Sequence, residues 1–103
     1  QPPYLNAAAV GETAIEPRAL LETLLAFERE RGRVRLTDRA PRTLDLDLIL
    51  YGDLVTDVPG LVVPHPRFRE RAFVLQPLAE VAGGWIDPKT GTSVGELLAQ
   101  LRA

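Results

Sequence analysis

Pro41-Arg42-Thr43-Leu44-Asp45-Leu46-Asp47-Leu48-Ile49-Leu50-Tyr51 is the stretch on which the reading of this chain turns. Its alternation predicts a buried strand, with Leu44, Leu46, Leu48 and Leu50 on one side and Asp45, Asp47, Ile49 and Tyr51 on the other. The two aspartates then point the same way. At a rise of about 3.3 Å per residue their Cα atoms stand about 6.6 Å apart, close enough for both carboxylates to reach one ion or ion pair. Asp is disfavoured in strands and like charges repel unless neutralised, so a divalent cation is one reading of the pair. A solvated face of an edge strand is the other, and the short motif leaves both open.

The surrounding composition narrows the chemistry. The 103 residues suit one domain, with 46% hydrophobic and 25% charged residues. The absence of cysteine excludes disulfides, zinc fingers and thiolate chemistry, leaving oxygen ligands or the lone His65 for a metal. Magnesium or manganese is favoured over zinc. No segment has the apolar length of a membrane span and the start lacks a signal pattern, so no membrane partner and a cytoplasmic location are expected. The net charge is −2, yet Arg29, Arg31, Arg33, Arg35, Arg39 and Arg42 crowd one segment. Arginines beside paired aspartates suit a phosphate-bearing ligand, because guanidinium binds phosphate bidentately and a cation bridges the rest. A nucleic-acid partner is not expected, since the net charge is negative and no aromatics interleave the arginines.

From the N-terminal side, Tyr4 to Thr13 alternates weakly and reads as a strand packed on both sides, with Asn6 a polar group inside a sheet. Its amide must find partners there, either structural ones or a planar heterocycle. Pro17 fits a first helical position, and Leu20, Leu21, Leu24, Leu25 and Phe27 recur at helical spacing until Gly32 offers a stop. Glu28, near the end of that helix, opposes the dipole and needs Arg31 or another donor. Arg33 to Ala40 reads as a mobile charged loop leading into the aspartate strand, in a position from which it closes over a ligand.

Beyond Tyr51, Gly52-Asp53 signals a turn, Leu54-Val55 pairs briefly, and Pro59-Gly60 turns the chain again. Leu61-Val62-Val63 leads to Pro64-His65-Pro66, where flanking prolines restrict the histidine backbone. Arg67 to Arg71 opens a second helical region, with Phe73, Val74, Leu78 and Val81 turned inward and Pro77 marking a break or a fresh first turn. Gly83-Gly84 ends it. Asp87-Pro88-Lys89-Thr90-Gly91 is a turn, and Ser93 with Glu96 forms a capping box for a last helix.

Taken together, Tyr4-Leu5-Asn6-Ala7, Gly32-Arg33-Val34-Arg35, Pro41 to Asp47, Val63-Pro64-His65-Pro66 and Arg71-Ala72-Phe73-Val74-Leu75 resemble the 6-hydroxymethyl-7,8-dihydropterin pyrophosphokinase family of folate biosynthesis. The resemblance covers nearly the whole chain. It implies a ferredoxin-like α+β fold, an antiparallel sheet packed with helices, and transfer of pyrophosphate from ATP to the pterin hydroxymethyl group with release of AMP, assisted by two Mg2+ ions. It further implies that Asp45 and Asp47 bind both metals. Arg33 and Arg42 would grip the ATP phosphates, and Glu28, Arg35, His65 and Arg71 would contact the nucleotide. Tyr4, Asn6 and Phe73 would line the pterin pocket. Electrostatic stabilisation of this kind dominates phosphoryl-type transfer.

Two departures from the family pattern accompany the resemblance. The family usually has Trp-Gly before Pro-Arg, whereas this chain has Arg39-Ala40-Pro41-Arg42. Family members also begin with a further strand and helix, so residues 1–103 are expected to be the C-terminal two thirds or so of the family domain, acting as a monomer. A non-catalytic nucleotide-binding fragment is the alternative.

Overall fold

The computed structural model describes residues 6–38 and 44–103, with residues 32–38 described by their backbone. Among these, the elements run α1 (Pro17–Asp38), β1 (Thr56–Val58), β2 (Leu61–Val63), a 3-10 turn (Phe68–Glu70), α2 (Ala72–Ala82) and α3 (Val94–Arg102). The class is α+β. The chain divides into two compact units: Ala14–Leu48, and Ile49–Ala103 together with the residues up to Thr13.

In the first unit, α1 begins at Pro17, where the fixed φ of proline suits a first turn. The Leu20 N–H donates to the Glu16 carbonyl at 2.9 Å, closing the first helical bond. The helix does not stop at Gly32 and takes in residues 33–38, which the charge pattern assigned to a loop. Glycine costs only about 1 kcal/mol against alanine inside a helix, and the flanking Arg, Glu and Leu residues are strong helix formers. The apolar positions are incompletely covered: Leu20, Leu21 and Leu24 are half-buried, and Phe27 is 51% exposed.

The expected aspartate strand forms no ladder over residues 44–51, nor do residues 6–13 form one. Asn6 is exposed rather than held inside a sheet. Alternation makes a strand only where the backbone finds a partner of matching register. What persists over 44–48 is the sidedness, with Leu44, Leu46 and Leu48 half-buried and Asp45 and Asp47 exposed.

In the second unit, β1 and β2 form an antiparallel ribbon in which Val58 faces Leu61 and Thr56 faces Val63. The turn between them is Pro59-Gly60, with Gly60 at φ +82°, the conformation a type II turn requires at its third position. Pairing therefore begins two residues later than at Leu54-Val55. The Val63–Pro64 peptide is cis. The core is Phe68, Leu75, Leu78, Ala82, Val94 and Leu97, with Ile49, Leu50, Val74, Ala79 and Leu98 packed against it. Each large apolar side chain fully buried there contributes about 1.5–3 kcal/mol.

Leu75, Leu78 and Ala82, spaced i, i+3, i+7, define the inner face of α2. That phase turns Phe73 and Val81 outward, against the sequence expectation; Phe73 is 54% exposed. Pro77 lies inside α2 without ending it, and only removes the N–H that would close on the Phe73 carbonyl. The α3 cap forms as expected: Glu96 N–H donates to Ser93 Oγ at 3.1 Å, and Ser93 Oγ donates to Glu96 Oε1 at 3.5 Å.

Candidate functional site

The acidic group of the first unit combines Glu28 on α1 with Asp45 and Asp47. The half-buried Glu28 carboxylate accepts a hydrogen bond from the backbone N–H of Leu46, the residue between the two aspartates. This supplies the donor that a carboxylate near a helix C-terminus needs, in place of Arg31, which lies 6.0 Å from the Phe27 ring centroid. With Leu46 tethered and turned inward, its neighbours project outward. Among the described residues neither Asp45 nor Asp47 has a hydrogen-bond or ion-pair partner. Exposed, uncommitted carboxylates two residues apart fit the oxygen chemistry of a hard divalent cation. The described residues contain no cluster of three or more metal-ligating side chains.

In the second unit His65, Arg71 and Phe73 follow one another over a short, well-tied segment. The His65 backbone N–H donates to the Ile49 carbonyl at 2.9 Å, and His65 Nδ1 accepts from the Arg67 N–H at 3.3 Å. With Nδ1 an acceptor, the neutral ring keeps its proton on Nε2 and presents a donor there. The 3-10 turn then delivers Arg71, whose N–H donates to the Phe68 carbonyl at 3.3 Å. The Arg71 guanidinium stands 5.8 Å from the ring centroid of the exposed Phe73. The cation lies over one face of an outward aromatic ring, a pairing suited to an anionic group next to a planar one.

Of the other residues singled out in the sequence, Asn6 is exposed in the second unit, while Tyr4 and Arg42 lie outside the described residues. Arg33 and Arg35 fall in the part of α1 described by its backbone, within the helix instead of a loop.

Sequence reasoning missed Asp87 and Arg69. Asp87 is fully buried and receives Arg69 Nε at 2.5 Å, Arg69 Nη2 at 3.0 Å, Thr90 Oγ1 at 2.7 Å and the Lys89 N–H at 3.0 Å. Burial by itself pushes the carboxyl up, but the hydrogen bonds from Arg69, Thr90 and the Lys89 N–H outweigh it and hold the pKa at about 2. The available signal was Asp-Pro-Lys-Thr-Gly, an Asx-turn pattern in which the aspartate serves the backbone two residues on.

Comparison with known proteins covers most of the chain. Residues 1–83 match the family model described as 7,8-dihydro-6-hydroxymethylpterin-pyrophosphokinase (HPPK). The chain is 46% identical to a 2-amino-4-hydroxy-6-hydroxymethyldihydropteridine pyrophosphokinase of Synechocystis sp., over 98% of this chain and 52% of that protein. It is 46% identical to the like-named Pseudomonas aeruginosa protein over 96% of this chain and 60% of the relative. A folic acid synthesis protein of Pneumocystis carinii is 39% identical over 98% of this chain and 14% of its own length. The chain thus spans about half the length of the first of these relatives.

Proposed function

Because the chain belongs to the 7,8-dihydro-6-hydroxymethylpterin-pyrophosphokinase family, we propose that it serves ATP-dependent pyrophosphate transfer to 6-hydroxymethyl-7,8-dihydropterin in folate biosynthesis. In that reaction the pterin hydroxymethyl oxygen attacks the β-phosphorus of ATP and gives up its proton. The bond from that phosphorus to the α-phosphate bridging oxygen breaks, and AMP leaves. The observation that supports this reading most strongly is the family match over residues 1–83, which includes Asp45 and Asp47 on their outward-facing segment.

In this reading Asp45 and Asp47 hold two Mg2+ ions. Bound magnesium supplies charge neutralisation for the attacking and leaving oxygens of an in-line displacement. Glu28 keeps the aspartates outward through Leu46. Arg33, Arg35 and Arg42 are assigned to the ATP phosphates by the family resemblance, as His65 and Arg71 are to the nucleotide. Phe73 offers a stacking face to the pterin, with Tyr4 and Asn6 supplying further contacts. The exposure of Phe73 beside Arg71 supports such a role, since a stacking platform must be open to its ligand. The ribbon and helices belong to a ferredoxin-like arrangement, and the protein acts as a monomer in the cytoplasm on small-molecule substrates.

Incubation with Mg2+, ATP and hydroxymethyldihydropterin should release AMP in step with pterin diphosphate. Binding of Mg-ATP without AMP release would reduce the role to nucleotide capture. Absence of both would end the proposal.

A further inference from the structure

We infer that Asp87 is a positioning residue for nucleotide binding, acting through Arg69 to hold the segment from His65 to Arg71; this rests on the function proposed above. Asp87 is fully buried, so it acts on a ligand only through the side chain it grips. It is itself rigidly set, its N–H donating to the Thr92 carbonyl at 2.9 Å and its carbonyl accepting from the Gly91 N–H at 2.7 Å. The fork of two bonds to Arg69 fixes that guanidinium in plane and direction. Arg69 is also 4.8 Å from the ring centroid of Phe68, which is wholly buried in the core.

Two neighbouring residues of the 3-10 turn are therefore anchored from below, one by packing and one by charge. His65 and Arg71 are the residues that this turn separates. Phe68 is bonded to both, its N–H donating to the His65 carbonyl at 3.5 Å and its carbonyl accepting from the Arg71 N–H at 3.3 Å. Of the arginines at 67, 69 and 71, only Arg69 has a buried carboxylate beneath it among the described residues. Arg67 meets Glu70 at 3.9 Å at the surface, and Arg71 has no carboxylate partner among the described residues. The arrangement commits one cation to structure and leaves Arg71 available to a phosphate.

Asp87→Asn keeps the shape and one acceptor but removes the charge; Arg69→Lys keeps the charge but removes the fork. In both, amide exchange of Glu70 and Arg71 should rise and KM for ATP should increase, by about tenfold in Asp87→Asn. KM for the pterin should stay within about twofold. Ser93→Ala, which weakens the same unit at the α3 cap but leaves the Asp87 carboxylate and its bonds to Arg69 in place, should leave KM for ATP unchanged. Folded variants with unaltered exchange at residues 70–71 overturn the inference, as does a KM for ATP that moves no more than in Ser93→Ala. If the parent chain makes no AMP, the proposed function fails and with it the nucleotide role; faster exchange in the variants would then uphold only the hold on residues 65–71.

Discussion

Asp47 and Asp87 are both acidic, and their surroundings assign them opposite work. Asp47 is exposed and uncommitted among the described residues, which leaves its oxygens for a cation. Asp47→Ala should lower the rate of AMP formation about 100-fold or more while leaving the thermal midpoint nearly unchanged, because the exposed carboxylate bonds to none of the described residues. Asp87 is held at a pKa of about 2 against an ordinary 3.8, so its charged form is the one that the folded state favours. Its contribution is present in full above about pH 5 and is lost as the pH falls from about 4 to 2. Asp87→Asn should therefore cost about 2 kcal/mol at pH 6 by urea unfolding, and the gap to the parent should close towards pH 2.

Helix α3 depends on a local signal at its start and on burial along one face. Ser93→Ala removes the side-chain acceptor for the Glu96 N–H and should lower stability by about 1 kcal/mol, readable as a shift in the denaturant midpoint. In α2, Leu75 has no exposed surface, and Leu75→Ala should cost about 2–5 kcal/mol through lost burial and the cavity left behind. The same substitution at Val81, on the outer face, should stay within about 0.5 kcal/mol. The contrast tests the phase of α2, which the sequence pattern had set with Phe73 and Val81 inward.

Across the molecule, burial is unevenly shared between the units. Among the described residues, all the fully covered apolar ones lie in the unit containing β1, β2, α2 and α3, whereas those of α1 reach only partial burial. Native-state hydrogen exchange should accordingly give the slowest amides in α2 and α3, around Leu75, Leu78 and Leu97, and much faster ones in α1. Equal protection in α1 would contradict this distribution.

Local chemistry was legible in the sequence wherever one residue type dictates one conformation. Pro17 opens α1, Pro59-Gly60 turns the ribbon, Ser93 and Glu96 cap α3, and Leu-Asp-Leu-Asp sets which side chains face out. These are short-range constraints, complete within a few residues of chain. Tertiary structure decided what depends on distant partners. Residues 44–48 kept their sidedness without a ladder because a strand is completed by another backbone, whereas Ile49 and Leu50 both turn to the core; Asn6 is exposed, with no ladder among the described residues beside it. Gly32 did not stop α1, since a helix ends where its continuation costs more than its neighbours return. The phase of α2 and the burial of Asp87 against Arg69, eighteen positions earlier, depend on the core: only packing specifies which of several apolar stripes turns inward and which carboxylate a guanidinium meets.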